Sequence, residues 1–183
     1  MAAQTYVALL RGINLGARNK VSMAELRELV EGLGADDVTT YVQSGNVVFR
    51  SGTPTATLAG DLEAAIRRRL GLDVRVLLRT KSDLGKTVSG NPFADAADAS
   101  KLHVTFLAAT PVRARVRKLD PSLSPPDEFR VAGRQVYLHC PNGYGRSKLS
   151  NAYFEQQLGV AATTRNWRTV TALADLAARP RGG

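Results

Sequence analysis

The chain has 183 residues, 44% hydrophobic and 22% charged, with 25 Lys plus Arg against 16 Asp plus Glu and a formal net charge of +9. These fractions, close to those of ordinary globular proteins, exclude wholesale disorder; the single Cys140 excludes an intrachain disulfide, and no apolar run approaches the ~20 residues that span a bilayer. The cationic excess favours acidic partners, either nucleic acid or an anionic small molecule, although a merely soluble basic surface gives the same sum. A lone thiol and the lack of a secretory leader pattern predict a cytoplasmic protein, with no membrane partner expected.

In chain order, TYVALLRG is a short apolar run of β-formers and predicts a buried strand ending near Arg11, followed by a loop from Gly12 to Lys20. Ser22 to Glu25 has the spacing of a capping box; Leu26, Leu29, Val30 and Leu33 then recur at helical spacing until Gly34. Val38 to Val42 and Val47 to Arg50 read as two strands around Ser44-Gly45-Asn46, where Gly and Asn suit positive φ. Leu58, Leu62, Ile66 and Leu70 define a second helix, and Val74 to Leu78 a fourth strand, completing the order β-α-β-β-α-β.

From Lys81 the pattern weakens into a linker, in which Ser82-Asp83 opens at most a short helix. LHVTFL, Leu102 to Leu107, is a strand, and Thr110-Pro111 pairs a capping hydroxyl with a proline at the first helical position. Glu128 to Val131 and Gln135 to His139 form a hairpin; a helix from about Lys148 to Leu158 follows. Thr163 to Trp167 is a final edge strand or a loop before a last helix through Val170, Leu173, Ala174 and Ala177. The expected fold is α+β: two ferredoxin-like β-α-β-β-α-β subdomains with antiparallel or mixed sheets and helices on one face. The boundaries are 1–80 and 101–183, with 81–100 as the linker.

Five separated stretches, ALLRGINLG (Ala8 to Gly16), TYVQSGNVVF (Thr40 to Phe49), NPF (Asn91 to Phe93), VTFL (Val104 to Leu107) and TRNWRTV (Thr164 to Val170), resemble the family called domain of unknown function 1697. The resemblance spans almost the whole chain and implies two ferredoxin-like subdomains. It brings no substrate, cofactor or reaction.

The site candidates are Arg11, Asn14, Gln43, Ser44, Asn46, Arg165, Asn166 and Trp167. Glycines around Arg11 let backbone N–H groups approach a phosphate or carboxylate, and Arg18 and Lys20 add charge, but the loop matches neither a P-loop nor GxGxxG. The bland reading is a tight structural turn. Gln43 and Ser44 add an amide and a hydroxyl that a hairpin does not need. Arg165, Asn166 and Trp167 suit an anion beside a stacked ring; the alternative is a core tryptophan and a helix cap. Gly143 to Lys148 is a second glycine loop with two cations before a helix, or else a solvated linker.

His139 and Cys140 are adjacent and so point apart, Cys140 reads as structural, and no zinc-ligand spacing or carboxylate motif exists, so no metal and no cofactor is expected. The leading expectation is a binding protein for a nucleotide, nucleic acid or phosphorylated metabolite in a basic polar cleft. One alternative is a small enzyme in which Arg11 and Arg165 clamp the anion and Ser44 or Tyr41 handles a proton. The other is a homodimeric or larger assembly module that pairs an open sheet face or edge strand.

Overall fold

A computed structural model describes residues 2–180, and its chain divides into two compact units, Met1–Gly85 with Leu173–Gly183, and Lys86–Ala172. The first unit contains β1 (Gln4–Arg11), α1 (Met23–Glu31), β2 (Asp36–Tyr41), β3 (Asn46–Ser51), α2 (Thr55–Leu70) and β4 (Arg75–Thr80). All pairings are antiparallel, in the order β2-β3-β1-β4. Strand alternation sends Tyr6, Ala8 and Leu10 of β1, Val47 and Phe49 of β3, and Val76 and Leu78 of β4 into one core with Leu26, Leu29 and Val30 of α1 and Leu58, Leu62 and Ile66 of α2. This is the split-βαβ arrangement expected from the element order.

The local signals act as their chemistry dictates. Ser22 and Glu25 make a reciprocal capping box at α1. Gly71, at φ 68°, ends α2 in the left-handed conformation, and Arg67, Arg68 and Arg69 crowd its last turn, where the helix dipole favours cations.

After β4 the chain turns into α3 (Lys81–Ser89) rather than running on as a loop. The start lies one step earlier than Ser82: Thr80 Oγ1 accepts from Asp83 N at 3.1 Å while Asp83 Oδ2 accepts from Thr80 N at 2.9 Å. That exchange satisfies two helix-end donors.

The second unit has β5 (Leu102–Leu107), α4 (Arg113–Val116), β6 (Glu128–Ala132), β7 (Gln135–His139), α5 (Asn151–Leu158) and β8 (Ala162–Asn166), and α6 (Trp167–Ala178) follows β8 directly. Its sheet runs β6-β7-β5-β8, again antiparallel throughout, so both units place their four strands in the same relative order. Leu107, Val136, Leu138, Ala162, Phe154 and Leu158 build the core.

Two readings of this half shift. Thr163 to Asn166 is resolved as strand, because β8 completes its ladder on β5 from Leu107↔Ala162 to His103↔Asn166, while Trp167 already begins α6. The Thr110-Pro111 pair does not open a helix: Val112 is still extended, and α4 begins at Arg113 without a side-chain cap.

Candidate functional site

The loop after β1 and the turn between β2 and β3 are fastened together, although they lie about thirty positions apart in sequence. Asn14 is the fastener: its Oδ1 accepts from Val21 N at 2.8 Å, and its Nδ2 donates to Val21 O at 3.1 Å and to Gln43 O at 2.7 Å. Asn14 can make these bonds from φ 53°, a left-handed backbone that asparagine tolerates. Leu10 N donates to Gly45 O at 2.8 Å, and Asn19 Nδ2 closes the loop on Gly12 O at 2.9 Å. A narrow turn from Leu15 to Arg18 forms the tip.

The Ser44-Gly45-Asn46 turn differs from its expected geometry in one respect. Gly45 has positive φ (76°), but the other left-handed residue is Val42 (φ 48°), whereas Asn46 is the first residue of β3. Asn46 is fully buried and its Nδ2 donates to Tyr41 O at 3.0 Å and to Ser44 Oγ at 2.8 Å, tying the turn shut. Gly45 also lies against the loop: a Cβ there would stand 2.7 Å from Ile13 Cδ1 and 2.8 Å from Leu10 Cβ. Thus Asn14, Gly45 and Asn46 build the corner, while Gln43 and Ser44 stand exposed on it.

Charge gathers at the same place. Residues 1–24 contain Arg11, Arg18 and Lys20 and no carboxylate, and residues 38–60 contain none either. Arg18 and Lys20 are exposed, and the cross-strand partner of Arg11 is another cation, Arg75. Directly opposed like charges cost energy, and Arg75 Nε relieves part of that through Glu63 Oε1 at 3.6 Å.

In the second unit, Arg165 is only 8% exposed; its Nη1 donates to Thr163 Oγ1 at 2.7 Å and to Thr164 O at 3.0 Å. Burial pushes its guanidinium down to about 10, so it stays charged at neutral pH. Asn166 Oδ1 accepts from Thr169 N at 2.8 Å, capping α6, and Trp167 is half-buried as its first residue.

Nearby, Thr164 Oγ1 donates to Asn151 Oδ1 at 2.6 Å, shares a 2.7 Å bond with Thr105 Oγ1, and accepts from Tyr144 at 3.2 Å. His103 stacks on Tyr144 with ring centroids 4.8 Å apart, and burial holds its imidazole below the ordinary value. Burial pushes the Cys140 thiol up to about 11, the opposite of an activated nucleophile. The Gly143 to Lys148 loop uses its backbone internally, with Lys148 N on Ser124 Oγ and Leu149 N on Ser147 Oγ. Among the described residues no His, Cys, Asp and Glu group of three or more gathers to hold a metal ion, and no helix is long and apolar enough to cross a membrane.

Residues 3–137 match the family described as "Protein of unknown function (DUF1697)". The chain belongs to this family. The matched span of this DUF1697 protein includes the Arg11 loop and the Gln43 turn, whereas TRNWRTV lies beyond it. The fold is shared with a solved structure described as that of the conserved bacterial protein SP0830 from Streptococcus pneumoniae. That likeness has 24% identity and a TM-score of 0.74, and covers 96% of this chain and 99% of the other. No curated protein matches.

Sequence reading missed two properties of the corner: the packing of Gly45 on Ile13, which no local pattern encodes, and the exposed, left-handed Val42, a residue type that predicts ordinary strand.

Proposed function

We propose that the protein binds an anionic ligand, a nucleotide, nucleic acid or phosphorylated metabolite, at the corner where residues 12–20 meet residues 42–46. The observation that carries this reading is the absence of any carboxylate from residues 1–24 and 38–60 around Arg11, Arg18 and Lys20. Cations close together in a stretch with no carboxylate of its own raise the local potential, and a phosphate accepts charge-assisted hydrogen bonds from guanidinium and ammonium groups. Asn14, Gly45 and Asn46 hold the two segments in register so that these cations stand on a fixed frame. Gln43 and Ser44 supply exposed polar groups beside them. Arg165, Asn166 and Trp167 serve the second unit as an internal hydrogen-bond donor, a helix cap and a helix start.

The test is thermal unfolding at low salt with inorganic tripolyphosphate, in the native chain, in Arg18→Glu/Lys20→Glu, and in Arg68→Glu/Lys118→Glu. Both double variants change net charge equally, and the second pair is exposed on α2 and beyond α4. The midpoint is expected to rise with ligand in the native chain and the second variant but not in the first, and the rise fades as salt increases. Equal responses in all three proteins, or none in any, would refute a defined anion site.

A further inference from the structure

The corner has a second property that charge does not explain. Among the described residues, the exposed large hydrophobic side chains are Leu15, Val42 and Val112, and two of these stand on the two fastened segments, next to Asn14 and Gln43, which share a hydrogen bond. Val42 is 52% exposed and left-handed at once. A β-branched residue at positive φ is a genuine outlier that glycine or asparagine would avoid, and its exposed methyl groups recover nothing from burial. Folding gains little from valine here. The position is held regardless by the bonds from Asn46 to Tyr41 O and Ser44 Oγ and from Leu10 to Gly45 O. Strain retained by an over-determined frame, spent on presenting an apolar side chain to solvent, is the pattern of a contact surface.

Resting on the anion site proposed above, we infer that this corner docks a single strand of nucleic acid. Its phosphates lie on Arg18 and Lys20, and an unstacked base lies against Val42, Leu15 and the half-buried ring of Tyr41. Three features favour this occupant. A strand supplies anions and flat apolar faces in alternation, which suits cations interleaved with apolar side chains. The exposed Gln43 makes no side-chain hydrogen bond among the described residues, and its amide offers both a donor and an acceptor to a base edge. A second copy of the chain is disfavoured, because a two-fold contact would set Arg18 and Lys20 against themselves, and residues 1–24 and 38–60 hold no carboxylate to offset them.

Binding is read by anisotropy of a labelled short poly-dT, with inorganic polyphosphate as a competitor that has the charges without the bases. The variants are Val42→Gly and Leu15→Ser. Val42→Gly is expected to raise Tm by about 2–4 °C through released strain, and each variant to weaken poly-dT roughly tenfold while leaving polyphosphate unchanged. If native protein binds polyphosphate and both variants bind poly-dT as tightly as native, base docking is overturned while the anion site stands. If native protein binds neither, the anion site falls too. Duplex DNA or an acidic Glu-Leu peptide competing as well as poly-dT would overturn the single-strand assignment.

Discussion

Gly45 shows how one residue can answer to a segment far away in the chain. At φ 76° and with Ile13 and Leu10 within 3 Å of any added Cβ, it has no room for alanine. Gly45→Ala is expected to destabilise the fold by about 2–3 kcal/mol, read as a lower denaturant midpoint; an unchanged midpoint would mean the turn and loop are not packed as described. Cys140 makes the converse point. Its thiol, raised to about 11 by burial, is expected to resist a thiol reagent in the native protein at neutral pH and to react at once on unfolding.

His103 gives a pH dependence with a definite sign. Burial lowers its folded-state value below the ordinary 6.5, so below that pH the unfolded chain binds more protons than the folded one. Stability is therefore unaffected by this group above about pH 6.5 and falls as pH drops below it. His103→Gln is expected to flatten that part of a melting-temperature profile. A parallel profile in the variant would show that the imidazole is no more buried folded than unfolded. At this scale the sequence told which residues were special but not why: the spacing of Ser44-Gly45-Asn46 suits a hairpin whether or not Ile13 presses on Gly45.

At the scale of elements, most of the fold was legible because one-sided burial leaves a period. The alternation of Tyr6, Ala8 and Leu10, and the helical spacing of Leu58, Leu62 and Ile66, record which face each element turns to the core. Failures came where a local signal had two structural uses. Thr110-Pro111 has the residues of a helix start, yet Val112 is still extended and α4 starts only at Arg113. The fourth strand, expected over Val74 to Leu78, runs to Thr80, whose side chain is also the cap of α3.

Loop 12–20 depends on one side chain in the same way. Asn14→Ala removes three bonds and leaves Val21 N and Gln43 O to find water. It is expected to cost about 2 kcal/mol and to speed amide exchange across residues 14–21 before the rest of the first unit opens. Uniform acceleration through β1 and β3 would instead make the loop part of the global unfolding unit.

At the scale of the molecule, the two units repeat one strand order, β2-β3-β1-β4 and β6-β7-β5-β8, on different sequences. A structure with 24% identity keeps the same architecture over 96% of this chain, as expected when patterning and turn chemistry rather than particular residues specify a fold. The candidate site was legible in part. The glycines, Asn14 and the cations stood out by type, but that Asn14 reaches Gln43 is a fact of tertiary packing. Arg165 stood out equally and is buried among threonines of its own strand. Composition shows the cationic excess but not where it gathers; Arg11, Arg18 and Lys20 fall within residues 1–24, a stretch with no carboxylate of its own.

The most direct measurement is a backbone amide NMR titration with inorganic tripolyphosphate. Shift changes are expected to concentrate in residues 11–20 and 41–46 and to vanish in Arg18→Glu/Lys20→Glu. Changes centred instead on residues 143–148 or 165–168, or scattered over every basic surface, would contradict an anion site at this corner.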